Sequence, residues 1–148
     1  MTKEKLYHKI MAIIDQRIER AQLAIASAKE SRDSETKSSV GDKYETGRTL
    51  MQQEVEKNRV QLHQAERLKT ELGNINLRKK HSYVEFGSLV NCKQNTYFIS
   101  AALGQIEVDG RTCFCISLVS PIGQALRHKK VGDTVNFRGK SITILTIE

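Results

Sequence analysis

Proline is absent from the first 120 residues of this chain and occurs only at Pro121. Glycine is also absent before Gly41. Because these two residues interrupt helices most strongly, long helices can form in the N-terminal half. From Lys3 to about Arg32 the chain consists mainly of Ala, Lys, Glu, Gln, Ile and Leu, which favour or tolerate helix. The first half is therefore predicted to be helical.

The apolar residues of this half recur in steps of four and three. In the first helix they are Ile14, Ile18, Ala21, Ile25 and Ala28. In a second predicted helix, from about Asp42 to Leu72, the positions of the seam are Met51, Val55, Asn58, Leu62, Ala65, Leu68 and Leu72, and all but Asn58 are apolar. This repeat is typical of a coiled-coil seam. Since the polar link between the helices is short, we predict an antiparallel hairpin with arms about 42 Å long.

From residue 83 onward, β-branched and aromatic residues alternate with polar ones, which indicates strands. The predicted strands are Tyr83–Phe86, Asn95–Ser100, Gly104–Asp109, Thr112–Leu118, Thr134–Phe137 and Ile142–Ile147. A short helix is predicted from Pro121 to His128, with Ser120 as its N-cap. The fold class is therefore α+β, with a coiled-coil hairpin over residues 1–79 and a small antiparallel β-sheet domain with one short helix over residues 80–148.

The composition excludes several classes of protein. The 148 residues are 39% hydrophobic and 28% charged, too apolar for a disordered chain and too polar for a membrane protein. We expect no membrane span, no secretion and a cytoplasmic location. The three cysteines, an odd number, are expected to be reduced thiols in the core. The net charge of +7 suggests binding to nucleic acid, including DNA, but the charges alternate in sign and favour a solvated helix surface.

Two acids lie where the second helix is predicted to begin. Asp42 and Glu45 are three residues apart, so they can share one face of a helical turn and hold a divalent cation such as Mg²⁺. The same spacing also forms a capping box, with Asp42 as N-cap and Glu45 at the third helical position, and spacing alone favours this alternative. The neighbouring cations Lys43 and Arg48 could contact phosphate or an acidic polymer, or could screen the acids.

Two segments resemble the bacterial Gre transcript-cleavage and transcription elongation factors (GreA/GreB-like). Residues 116–135 read Ile-Ser-Leu-Val-Ser-Pro-Ile-Gly-Gln-Ala-Leu-Arg-His-Lys-Lys-Val-Gly-Asp-Thr-Val, similar to the C-terminal signature of that family. Gly41-Asp42-x-x-Glu45 is similar to the family's Gly-Asp-x-x-Glu-Asn at the hairpin tip. The chain departs from the family pattern at His128, where Gly is common, and at Thr46 and Gly47, which replace Asn-Ala.

The resemblance implies a specific function. The hairpin would enter the secondary channel of RNA polymerase, and an FKBP-like C-terminal domain would dock on the rim. Asp42 and Glu45 would help to hold a Mg²⁺ shared with the polymerase, whose own active site would hydrolyse backtracked RNA near its 3′ end. The chain would then be no enzyme itself, would need no cofactor when free and would be a monomer. The implied partner-binding residues are Lys43, Arg48, Ser120, Pro121, Ile122 and Gly123.

Two alternatives remain open from the sequence. The altered residues after Glu45 and the additional acids Asp33 and Glu35 suggest a regulator that occupies the same channel without stimulating cleavage. A prolyl isomerase or chaperone that uses the FKBP-like half is disfavoured, because residues 80–148 contain few aromatics to line a pocket and several of these must build the core.

Overall fold

The computed structural model describes residues 2–34 and 41–148, excluding the side chain of Asp42. Two long helices, α1 (Lys3–Asp33) and α2 (Asp42–Gly73), are followed by six strands and one short helix. Contacts divide the chain into two compact units. The hairpin unit is Met11–Thr70, and the C-terminal unit is Met1–Ile10 together with Glu71–Glu148. The domain boundary between residues 79 and 80 stays a prediction.

Within the hairpin unit the two helices run antiparallel, as predicted. Near one end, Nζ of Lys69 lies 2.7 Å from Oδ1 of Asp15. Near the other, Nη1 of Arg32 donates to Oε1 of Gln52 at 2.5 Å. The predicted seam supplies the buried residues of this unit, which are Ile14, Ala21, Ile25, Ala28, Val55 and Ala65. The heptad pattern therefore predicted the packing face of both helices correctly.

The C-terminal unit contains one six-stranded sheet with the strand order β3-β4-β2-β1-β6-β5. The strands are β1 (Leu89–Cys92), β2 (Thr96–Ile99), β3 (Gly104–Val108), β4 (Arg111–Ile116), β5 (Thr134–Phe137) and β6 (Lys140–Ile147). Helix α3 (Pro121–Leu126) lies between β4 and β5 in the chain. All pairings are antiparallel except β2 with β4, which run parallel, so the sheet is mixed. The β3–β4 hairpin forms one edge of the sheet, with β4 next to β2.

One predicted strand is wrong and one strand escaped prediction. Tyr83–Phe86 is irregular, and its buried Val84 exchanges backbone hydrogen bonds with the segment after α3: Val84 N donates to Lys129 O at 2.8 Å and His128 N donates to Val84 O at 2.9 Å. The missed strand, β1, is buried along almost its whole length. A central strand covered on both faces shows no alternation, so the period-two pattern cannot detect it.

The first turns of α1 belong to the C-terminal unit. The helix begins after Thr2, whose Oγ1 accepts a hydrogen bond from Lys5 N at 3.1 Å. Leu6 and Ile10 are buried. The Lys5 ammonium pairs with Asp109 at 3.1 Å. Residues remote in sequence therefore complete the fold around the sheet.

Candidate functional site

The α2 start (residues 41–48) carries the predicted acidic pair. Gly41 has φ +65°, a left-handed conformation that glycine adopts without steric cost. Its carbonyl accepts from Tyr44 N at 3.2 Å and from Glu45 N at 3.4 Å. Gly41 is therefore the N-cap, and Asp42 is the first residue of the helix. The capping box with Asp42 as N-cap is wrong by one residue, because the glycine turns the chain into the helix one position earlier.

Glu45 is exposed in the first turn of α2. Considering residues 2–34 and 41–148 alone, no cation lies within ion-pair distance of its carboxylate. Glu45 lines a groove of about 680 Å³ together with Arg48 and Gln52. The side chain of Asp42 lies outside the described atoms. Positions 42 and 45 are nevertheless close to one helical turn apart, which is the spacing that allows two carboxylates to act together.

A further acid near the α2 start, Asp33, has its charge neutralised by two arginines. Asp33, at the end of α1, accepts from Nε of Arg32 at 2.9 Å, and Nη1 of Arg48 lies 3.9 Å from the same carboxylate. The hydrogen bond from Arg32 lowers the pKa of Asp33 below its ordinary value, so this carboxylate is ionised and paired. Lys43 is exposed. The two predicted partner-binding cations thus differ, since Arg48 already has an intramolecular partner.

The second predicted contact group surrounds α3. Ser120 is the N-cap, as predicted: Gly123 N donates to its Oγ at 3.1 Å, and this Oγ donates to Ser117 O at 2.6 Å. Pro121 occupies the first helical turn and is exposed. Ile122 packs against the core of the C-terminal unit. Of this group, Pro121 is the most accessible to a partner.

Gly123 is buried for a steric reason. A Cβ atom at this position would lie 2.2 Å from Ser117 O and 3.0 Å from Leu118 Cα. Only glycine allows α3 to approach this backbone so closely. The helix ends at Leu126 rather than His128, because Arg127 has ψ 130° and already leaves the helical conformation; His128 follows with φ +64°. A glycine would adopt that φ without strain, so the departure from the family pattern occurs where glycine is conformationally favoured.

A polar cluster around the buried His81 in the C-terminal unit was missed in the sequence. Nδ1 of His81 lies 2.6 Å from Oε1 of Glu85, and Nζ of Lys79 lies 2.8 Å from the same oxygen. The hydrogen bonds from Lys79 and His81 lower the pKa of Glu85 to about 2, and burial lowers the pKa of His81. No sequence signal marks the cluster, because it lies in an irregular segment whose pairing depends on the tertiary fold.

The described part of the chain contains no group of three or more His, Cys, Asp or Glu residues that could hold a metal ion. No helix in residues 2–34 and 41–148 is long and apolar enough to cross a membrane. All three cysteines are buried free thiols, as predicted. Burial raises the pKa of Cys92 to about 11, which suits an unreactive thiol.

Residues 79–148 match the family model described as transcription elongation factor, GreA/GreB, C-terminal domain. Residues 79–148 therefore form a C-terminal domain of the GreA/GreB type. The match includes the Ser120–Gly123 segment, the polar cluster and all six strands. Transcription elongation factors of the GreA/GreB family act on RNA polymerase.

Two solved structures are similar to this chain. One is GreA factor homolog 1 (Gfh1) of Thermus thermophilus, with 18% identity, a TM-score of 0.36 and coverage of 93% of this chain and 94% of that one. The other is described as the transcription factor Gfh1, with 19% identity, a TM-score of 0.35 and coverage of 99% and 95%. A comparison with curated protein sequences gave no significant match.

Proposed function

We propose that this protein enters the secondary channel of RNA polymerase with its helical hairpin and stimulates cleavage of backtracked RNA. The observation that carries the proposal is Glu45, an exposed carboxylate without a described ion-pair partner in the first turn of α2, three residues after the first helical residue Asp42. Channel entry and a cytoplasmic location are part of the same proposal.

The acids of the α2 start suit a shared Mg²⁺ site. Carboxylate oxygens are hard ligands, and Mg²⁺ often takes only one or two of them from a protein. The helix fixes the spacing of positions 42 and 45, while the neighbouring Asp33 is neutralised by Arg32 and does not compete. In the complex, the Mg²⁺ would activate a water molecule for attack on the phosphodiester. The residues of this chain would orient that site from one side, and the polymerase would supply the remaining ligands.

The test is RNA cleavage in backtracked elongation complexes with the full-length protein. We expect Glu45→Ala to reduce the cleavage rate by about 100-fold and the Asp42→Ala/Glu45→Ala variant by at least as much. Glu66→Ala is the matched control. This exposed glutamate lies on the same helix about 30 Å away, and its removal should leave the rate unchanged. Cleavage by the double variant at the wild-type rate would refute the mechanism.

A second candidate is a regulator that occupies the channel without stimulating cleavage. This candidate is favoured by the ion pair between Arg48 and Asp33. Arg48 follows the acids Asp42 and Glu45 in the sequence, and because it is paired within the chain it is not free to bind RNA. The same assay decides between the two. Binding to the polymerase in competition with a cleavage-active factor, without any stimulated cleavage, would establish the regulator.

A prolyl isomerase is disfavoured by the positions of the aromatic side chains. Phe98 is fully buried and Tyr97 is 8% exposed. Phe114 and Phe137 pack against the core cluster of the C-terminal unit. These rings are engaged in the core of the sheet, so they do not form the open aromatic pocket that a prolyl isomerase needs.

A further inference from the structure

Two neighbouring turns of the C-terminal unit enclose a cleft of about 590 Å³, which we call the basic cleft. One wall comes from the turn between β1 and β2, with Gln94 and Asn95. The other comes from the turn between β5 and β6, with Arg138 and Lys140. The basic cleft is remote in sequence from the α2 start and from the α3 segment. It therefore needs its own explanation.

The charge of the basic cleft has one sign. Its charged lining residues are Arg138 and Lys140, and Lys93 precedes the lining residues of the first wall. Across residues 2–34 and 41–148, none of these three cations pairs with an acid, whereas Lys5 and Lys69 do. Three exposed and uncompensated cations on two adjacent turns attract an anionic group.

The backbone conformation of Arg138 is the one that its hairpin turn requires. Two hairpin turns of the sheet have two residues each, and every one of these residues has positive φ. They are the turn between β5 and β6 and the turn between β3 and β4. The latter uses Asp109 and Gly110, which follow the preference for Asn, Asp or Gly at the first position. Arg138 has the same φ of 51° as Asp109 but no short polar side chain to support it. The turn therefore presents the Arg138 side chain at a fixed position beside the cleft.

The basic cleft is also rigid. Lys93 N donates to Thr143 O at 3.1 Å, which ties the first turn to β6, and Cys92 N donates to Asn95 O at 2.9 Å within that turn. The guanidinium carbon of Arg138 lies 5.0 Å from the centroid of the Phe137 ring, so a cation–π contact holds this side chain against the wall. A preformed cationic site loses little conformational entropy when it binds.

The floor of the basic cleft is apolar. Tyr97 and Ile142 lie there, 8% and 7% exposed. Cations above an apolar floor suit a ligand that combines carboxylates with an aliphatic side chain. Nucleic acid fits less well, because bases need an open aromatic face for stacking, and the guanidinium of Arg138 already covers the Phe137 ring.

We propose that the basic cleft binds an acidic segment of a partner protein. Carboxylates of that segment pair with Arg138 and Lys140, and an aliphatic side chain packs on Tyr97 and Ile142. The amide of Asn95 provides a further hydrogen-bond donor or acceptor at the rim. This interaction is separate from the chemistry of the α2 start, so it can hold whether or not the protein stimulates RNA cleavage.

The test is fluorescence anisotropy of a fluorescein-labelled peptide of Glu-Glu-Leu repeats, titrated with the full-length protein at low salt. We expect Arg138→Asn combined with Lys140→Ala to weaken binding about tenfold. Asparagine tolerates positive φ, so this variant should fold at least as well as the wild type. The control is Lys129→Ala combined with Lys130→Ala, which removes the same charge outside the basic cleft and should change binding less than about twofold.

Three results would overturn the proposal. The peptide could bind the cleft variant as tightly as the wild type. Both double variants could lose the same affinity, which would indicate general charge attraction rather than a site. A labelled oligothymidine could bind more tightly than the peptide and depend on Arg138 and Lys140, which would make the basic cleft a nucleic-acid site instead. A melting curve for each variant shows that the compared proteins are folded.

Discussion

The hairpin unit and the C-terminal unit are stabilised by cores of very different size. In the hairpin unit six of the described residues are buried, and three of them, Ile25, Ala28 and Val55, form one cluster with the half-buried Leu62 beside it. In the C-terminal unit nine buried residues form one cluster: Val84, Val90, Cys92, Tyr97, Ile99, Leu126, Val135, Ile142 and Ile144. Two helices can bury only one stripe each, whereas a sheet and a helix bury side chains from many elements.

The sequence motifs of the two units also differ in how much they contribute to the fold. In the C-terminal unit, Ser120 caps α3 and Gly123 allows its close packing, so both have structural roles whether or not they also touch a partner. In the hairpin unit, Glu45 is exposed and its side chain contributes nothing visible to the packing. A residue that the fold does not need is the better candidate for chemistry.

The largest expected effect is in the C-terminal unit. Gly123→Ala places a methyl group against Ser117 O, which cannot move without displacing the chain before α3. We expect this unit to lose about 3 kcal/mol of unfolding free energy, measured as a shift of the urea midpoint. Gly73→Ala is the matched control. No atom lies within 4 Å of its added Cβ, so it should be neutral or stabilising.

The same variant tests whether the two units are independent. Hydrogen exchange of Gly123→Ala should show faster opening in residues 71–148 and unchanged protection in residues 11–70. If protection fell equally in both ranges, the chain would unfold as one cooperative unit, and the comparison of two separate cores would fail.

A smaller effect is expected in the hairpin unit. Val55 is fully buried, and Val55→Ala removes two methyl groups from a cluster with few other members. We expect a loss of about 2 kcal/mol, seen as faster amide exchange in residues 11–70. Val60→Ala makes the same change on the same helix at a side chain that is 56% exposed, and it should have almost no effect. Equal effects of the two variants would contradict the predicted seam.

The smallest effect depends on pH and concerns the polar cluster of the C-terminal unit. The pKa of Glu85 falls from 4.5 to about 2 in the folded protein, so its ionised form stabilises the fold above pH 4.5, and this contribution disappears as the pH falls towards 2. His81 acts in the same direction, because its lowered pKa makes stability decrease as the pH drops below 6.5.

Glu85→Gln should therefore cost about 1 kcal/mol at pH 7 and flatten the acid limb of the stability curve. Urea midpoints between pH 7 and pH 3 measure this effect. The exposed Glu107 on β3 provides the control, since Glu107→Gln should leave the wild-type pH dependence intact. An unchanged acid limb in Glu85→Gln would show that another group dominates acid unfolding.

Much of this fold was predictable because its signals are local. The seam from Ile14 to Ala28 predicted both the first helix and its buried face. Ser120 and Pro121 predicted the start of α3. Each of these signals depends on backbone preferences within a few residues, so no knowledge of the tertiary fold is needed to use them.

The failures concern residues whose state depends on distant partners. The irregular Val84 segment pairs with residues after α3, and the parallel pairing of β2 with β4 depends on where the β3–β4 hairpin folds. For the candidate site, the sequence predicted the start of α2 to within one residue, and the role of its two acids stays a prediction. The ion pair between Arg48 and Asp33, which distinguishes Arg48 from Lys43, joins two helices and had no signal in either.

The sequence by itself determined the helices, their seam, most of the strands and the residues of the family motifs, because periodicity and turn chemistry act over short distances. Only the tertiary structure decided that the first turns of α1 complete the C-terminal unit and that Glu85 pairs with the buried His81. It alone brought Arg138, Lys140 and Asn95 to one cleft. Burial and charge pairing depend on groups far apart in the chain, and only the folded backbone sets those distances.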